Sequence, residues 1–455
     1  MMAEELKKAL GFWSCFSVAV GLVVASTTLV SLGQGMGIGG GGFIYAMVAA
    51  CMLQLFSAMT YGELGTMLPR AGGISTYTLV AMGPLPAIVA TFSGYMVVNL
   101  LAGPAELAVS GFVFTDVFAS WCPPMLFSIF LLIFLTVLNL LGVDVFAKVQ
   151  IFLTTVMIGS IGILGVIGLF EIACPFPDIP APVSFNPMGW EVFSLLALGI
   201  WLYIGIEFVT PLAEETINPG RNIPWSMFIG LVVIFVVKVL FGFASIKYVP
   251  MAKLAESTHP HVDMAGAILG SGGRIWIGIV SIFATASTVN TVIAAVPRLF
   301  YGMAYSGELP SLFGWLHPRF RTPWISIILL ALVMSVVLLS GLAGIEAIVT
   351  FMMAAAWTWL LCYIIAHVDL MMLRRKYPDH ERPYRSPFYP IPQILGSLGM
   401  IYVMINIYPD PAMRNQIIKL ALFFLTGSII YGVLWIKLKM KTRLFKPIPI
   451  EEAKH

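Results

Sequence analysis

Charge is what this chain has least of. Only 10% of its 455 residues are Asp, Glu, Lys or Arg, against about 25% in an ordinary soluble domain. A water-soluble body is therefore excluded, because there is too little polar surface to cover it. Long polar stretches are also missing. No Cys/His spacing suggests a metal site, and no nucleophile elbow, metal-ligand helix or phosphate loop is present, so no enzyme class and no cofactor is expected. Gly39-Gly40-Gly41-Gly42 is followed by no lysine and reads as a flexible link. Cysteines number five and are scattered. Cys15, Cys51 and Cys362 fall in apolar runs as small core residues, whereas Cys122 and Cys174 fall in loops, where a disulfide between them is left open. No cleavable signal peptide is evident, since the first apolar run is long enough to remain as a span.

What is there is apolar. Hydrophobic residues make up 59% and the mean hydropathy is +0.94. Runs of about 20 apolar residues, each enough to cross a bilayer as a helix, recur along the chain. They are continuous, not alternating, which excludes an outer-membrane barrel. The fold class is an all-α polytopic membrane protein. About twelve spans are expected, at 10–32, 41–66, 86–115, 124–142, 148–170, 190–212, 225–247, 275–299, 323–342, 346–371, 391–408 and 416–437. The third is long enough to tilt steeply.

Lysine and arginine placement gives the orientation. With the N-terminus inside, the inner side receives roughly nineteen basic residues and the outer side five. Both termini are then cytoplasmic and the location is the cell membrane. The basic tail from Lys437 to Lys446 is a stop-transfer cluster that can also touch anionic lipid.

Two spans look interrupted. Gly21-Leu22-Val23-Val24-Ala25-Ser26-Thr27-Thr28 places small and hydroxylated residues mid-membrane, and Gly199-Ile200-Trp201-Leu202-Tyr203-Ile204-Gly205-Ile206-Glu207 places two glycines and an acid there. Either segment alone could be a helix-packing patch. As a pair five spans apart, they point to a binding site between repeats. Three ionisable residues lie deep in spans and are functional candidates: Glu106, Glu207 and Lys238. A buried pair or a snorkelling lysine is the structural alternative.

The link Glu214-Glu215-Thr216-Ile217-Asn218-Pro219-Gly220-Arg221, the motif Tyr61-Gly62-Glu63-Leu64 with Pro69-Arg70-Ala71-Gly72-Gly73, and Pro297-Arg298-Leu299-Phe300-Tyr301-Gly302 continuing to His317-Pro318-Arg319-Phe320-Arg321-Thr322-Pro323 carry a resemblance in their order and spacing. The chain resembles the amino acid/polyamine/organocation permease superfamily, with the LeuT-type fold, over almost its whole length. The resemblance implies a single transporter domain over 1–455. Its inverted five-helix repeats fall at 10–171 and 190–373, and two further helices at 391–437. It also implies a secondary transporter working by alternating access, with a small amine-bearing substrate, usually an amino acid. Its nearest rival is an amine or polyamine exchanger.

For an α-amino acid, the carboxylate would sit on the helix start at Ala25, Ser26 and Thr27. The ammonium would sit on carbonyls of Val23, Trp201 and Ile204, at positions that match similar permeases. Trp201 and Tyr203 would cover the ligand, and Glu106 would border it. The usual Gly-Ser-Gly of the first span is Ala25-Ser26-Thr27 here, and β-branched Thr27 is stiffer and larger. The coupling ion is left between H+ and Na+. Glu207, Glu106 and Lys238 are the candidates for proton or ion coupling. Thr285, Ser287 and Thr288 could join first-span carbonyls around sodium or bond their own helix. Met157 stands where some proton-coupled relatives carry a lysine. The lipid bilayer is a partner and nucleic acid is not. A partner subunit tied through Cys122 is not favoured, nor is a nutrient sensor, since the tails are only about 9 and 18 residues, too short to fold alone.

Overall fold

The computed structural model describes residues 6, 8–170, 184–341 and 347–454. Among these the chain is helical, with no named strand; one isolated parallel bridge joins Leu10 to Thr216. The order is α1 (Phe12–Val23), α2 (Ser26–Gly39), α3 (Phe43–Met67), α4 (Ile74–Ala81), α5 (Pro84–Thr91), α6 (Val97–Val117), α7 (Pro124–Leu140), α8 (Val143–Leu169) and α9 (Leu196–Trp201). After a 3-10 stretch at Ile206–Glu215 come α10 (Pro219–Tyr248), α11 (Met251–Glu256), α12 (Pro260–Tyr305), α13 (Trp324–Leu339), α14 (Ile348–Lys376), α15 (Ile391–Ile405) and α16 (Pro411–Trp435). Among the described residues, eight helical stretches are long and apolar enough to cross a membrane, and four shorter apolar helices accompany them. Each of the twelve expected runs overlaps a helix among the described residues. A π-turn at Phe92–Met96 joins α5 to α6 into 34 continuous residues, about 51 Å at 1.5 Å per residue. That exceeds the roughly 30 Å hydrocarbon core.

Burial separates centre from periphery. The most apolar window of Gly189–Glu215 is 89% buried, while that of Pro411–Met440 is 22% buried. Phe130, Leu332, Leu398 and Phe423, on α7, α13, α15 and α16, stand mostly exposed, as side chains facing lipid do. Backbone groups in such a core must find partners inside the protein, and helices satisfy this everywhere except where they break.

The first break separates α1 from α2. Val24 (φ −94°, ψ 60°) leaves the helix and Ala25 (φ −79°, ψ 157°) is extended. Thr28 Oγ1 donates to the carbonyl of Ala25 at 2.8 Å, the local side-chain competition by which hydroxyl residues loosen a helix. The second break follows α9, where Leu202 to Gly205 turn. Gly205 has φ 104°, and a Cβ there would fall 2.1 Å from Leu22 Cδ2, so glycine fits both the turn and the close approach of the two breaks. The chain's start also touches the far end of this second broken segment. The N–H groups of Ala9 and Leu10 both donate to the carbonyl of Glu215 at 2.9 Å, and that of Ile217 donates to Leu10 at 2.8 Å.

The signature loops meet ion partners. Arg298 of α12 holds Glu215 in a fully buried pair at 2.9 and 3.2 Å. The Ala71 N–H donates to Glu214 at 3.1 Å. Glu63 of α3 accepts from Arg374, from the N–H of Ser386 at 2.7 Å and pairs with Arg382 at 3.1 Å. The pairing of Cys122 with Cys174, left open by the sequence, involves Cys174, which lies outside the described residues. Cys122 itself is buried, its Sγ 3.8 Å from the carbonyl oxygen of Pro123.

Candidate functional site

The two breaks face one another across a small cavity of about 40 Å³. Leu22, Ala25, Thr27, Thr28, Glu106, Trp201, Ile204 and Thr288 are among its lining residues. Six of the thirteen expected site residues (Ala25, Thr27, Glu106, Trp201, Ile204 and Thr288) line it, but the polar groups around it are engaged differently from the expectation.

The N-terminus of α2 carries free N–H groups and the positive end of the helix dipole. They are not left for a ligand. Glu106 of α6 reaches across, accepting from Ser26 N at 2.7 Å and from Thr27 N at 2.9 Å. Thr285 Oγ1 gives the same carboxylate a third donor at 2.8 Å. These are lengths of charge-assisted hydrogen bonds.

The carbonyls released by the breaks are taken as well. Lys238 of α10, fully buried, donates through Nζ to Val23 O at 3.1 Å, Leu202 O at 2.6 Å and Thr28 Oγ1 at 3.0 Å. Of the carbonyls expected to receive an ammonium, Val23 receives this one. On the second break the acceptor is Leu202, not Trp201 or Ile204. The lysine does not snorkel.

Trp201 borders the cavity, its indole N–H donating to Thr27 Oγ1 at 3.3 Å. Tyr203 does not line it. Its ring packs on Phe235 and lies 5.9 Å from Lys238 Nζ, because the turn after Trp201 sends the two aromatics in different directions. Glu207 sits one side chain behind the cavity wall. It accepts from Trp359 Nε1 at 2.8 Å and Tyr363 OH at 2.6 Å, and Tyr363 OH in turn accepts from the Gly205 N–H at 3.0 Å. Trp359 lines the cavity and stands edge-on to Trp201 at 6.5 Å.

The three α12 hydroxyls do not converge on one point. Thr285 serves Glu106 and Ser26 Oγ. Thr288 donates to Leu22 O at 3.2 Å. Ser287, about 200° around the helix from Thr285, accepts from Gln150 Nε2 at 2.8 Å beside Thr154. A sodium cage from all three is not formed.

Sequence reasoning passed over several groups here. Asn139, Gln150 and Asn290 form a buried amide chain at 2.8 Å steps. His261 Nε2 lies 3.0 Å from Ser281 Oγ, itself 2.9 Å from Ser26 Oγ. Buried amides in apolar spans were a usable signal. Trp359, one aromatic among many, gave none.

Fold and site together define a multi-pass helical membrane protein with a small central cavity where two helices break. A family profile described as amino acid permease matches residues 10–434. The chain belongs to the amino acid permease family. Among similar proteins, the cystine/glutamate transporter of Homo sapiens is 27% identical, covering 90% of this chain and 82% of its own. The branched-chain amino acid permease BcaP of Bacillus subtilis is 24% identical, with 94% and 93% covered. The serine/threonine exchanger SteT of the same organism is 26% identical, with 88% and 91% covered.

Proposed function

We propose that this protein is a secondary active transporter that moves an amino acid across the cytoplasmic membrane by alternating access, at the cavity between the two helix breaks. The observation that carries the reading is the meeting of those breaks around one cavity, with Lys238 hydrogen-bonded to both. Unwound backbone in a membrane survives only where it is buried or lines a cavity, and a carrier needs such a place near the midplane. The relatives carry the names of transporters for cystine and glutamate, branched-chain amino acids, and serine and threonine. That spread supports the class and leaves the individual amino acid open.

The arrangement we favour is twelve spans with both termini cytoplasmic: inverted repeats at 10–171 and 190–373 and two added helices at 391–437. The pairing of Arg298 with Glu215, and of Ala9 and Leu10 with the same loop, would then form the cytoplasmic closure. We favour the proton over sodium as coupling ion, since an ammonium already holds the oxygens between the breaks. Glu207, behind Trp359 and reached from Gly205 through Tyr363, is our candidate carrier of the coupled proton. A chain acting without a partner subunit fits the buried setting of Cys122.

Thermal-shift screening of the purified protein against the twenty amino acids, with and without sodium, tests the reading, because a ligand of the folded state raises apparent stability. At least one amino acid should raise the midpoint, independently of sodium. No response to any of them would remove the proposal.

A further inference from the structure

The groups that ordinary chemistry would offer a zwitterion at these breaks are already in use. The α2 amides hold the carboxylate of Glu106, and the freed carbonyls hold the ammonium of Lys238. What the cavity leaves open is of a different kind. Leu22, Val98, Ala102, Val292, Trp201 and Trp359 give it apolar walls, and Glu106 is its only charged lining residue among those described. A ligand carboxylate entering here would meet the Glu106 carboxylate at close range in a low-dielectric setting, where like charges repel strongly. It would find the Ser26 and Thr27 amides occupied. A ligand ammonium would meet that same carboxylate favourably.

We propose that Glu106 is a specificity-determining residue that stands in for the substrate's own α-carboxylate. The carrier then recognises its ligand by an amine and an apolar side chain, and a primary amine that lacks the carboxylate is accepted at least as well as the amino acid. This rests on the reading of the cavity as the amino acid site. Were Glu106 only a helix cap, with the substrate carboxylate bound elsewhere, deleting the carboxylate from a ligand would cost affinity and deleting it from the protein would gain none.

The test uses leucine and 3-methylbutylamine, which is the leucine skeleton without its carboxylate, as competing ligands on the purified full chain. In the wild type the amine should bind at least as tightly as leucine. Glu106→Ala, which frees both amides, should tighten leucine relative to the amine by about tenfold or more. Glu106→Gln keeps the volume and should shift the ratio the same way by less. It serves if the alanine variant does not fold. Wild-type preference for leucine of about tenfold or more, or an unchanged ratio in the variants, would overturn the proposal while leaving amino acid transport intact. Binding of the amine with no binding of any amino acid would do the reverse, sustaining the role of Glu106 and removing the amino acid reading. Binding of neither would remove both.

Discussion

The ammonium of Lys238 lies 2.6 Å from the carbonyl oxygen of Leu202. The same nitrogen reaches Val23 O and Thr28 Oγ1, so one side chain from α10 joins the two interrupted helices. In hydrocarbon surroundings these oxygens have no water to turn to, and the lysine both satisfies them and fixes the distance between the breaks.

Lys238→Ala should therefore lower the thermal midpoint by several degrees, since each buried acceptor left unpaired costs about 1–3 kcal/mol. The loss should be partly reversed by ammonium chloride at concentrations that leave the wild type unchanged. Differential scanning fluorimetry in detergent reads both effects. A midpoint indifferent to the substitution would mean that the cross-brace carries no stability.

The buried pair of Arg298 and Glu215 should behave as a coupled unit. Removing one member leaves the other as an uncompensated buried charge, which costs about 3–5 kcal/mol. Arg298→Met and Glu215→Gln should each be strongly destabilising, and the double variant clearly less so than the sum of the two. A double-mutant cycle on unfolding midpoints measures this.

Gly205 has φ 104° and faces Leu22. Gly205→Ala would strain the backbone and push Leu22, a cavity wall, out of place. Transport should fall by about tenfold or more, since a misplacement of this size at a site is costly. Pairing it with Leu22→Ala, which vacates the contact, should restore part of the rate in an uptake assay.

Glu308 lies beyond the cytoplasmic end of α12 as we orient the chain. It is fully buried and hydrogen-bonded to Ser75. Burial pushes its carboxyl up to about 8. The folded protein thus keeps a proton that the unfolded chain has lost above the usual carboxylate range. Its contribution to stability is complete at pH below about 4.5, falls as pH rises towards about 8, and changes no further above that. In Glu308→Gln this part of the pH dependence should vanish. Thermal midpoints of the variant should decline less between pH 5 and 8 than those of the wild type.

Sequence patterns located the breaks because glycines and hydroxyl residues in an apolar run have few other reasons to be there. They also singled out Glu106, Glu207 and Lys238, since an ionisable group in a span must have a partner. The partners themselves were not legible. Lys238 binds mainly backbone oxygens, which no residue type announces, and Glu106 meets Ser26 and Thr27 only through the packing of α6 against α2. Trp201 and Tyr203 stand two residues apart in a turn without helical period, so their directions could not be read off. Ser287 was grouped with Thr285 and Thr288 by type, although helix geometry turns it to another neighbour.

The measurement closest to the central claim is counterflow of labelled amino acid into proteoliposomes, compared between the wild type and Ala102→Phe. Ala102 lines the cavity from α6, and a phenyl ring there would take up the space between the two breaks. The wild type should show saturable counterflow, and the variant, folded with a similar thermal midpoint, should show none. Wild-type counterflow in the filled variant would place the transported ligand somewhere other than between the two broken helices.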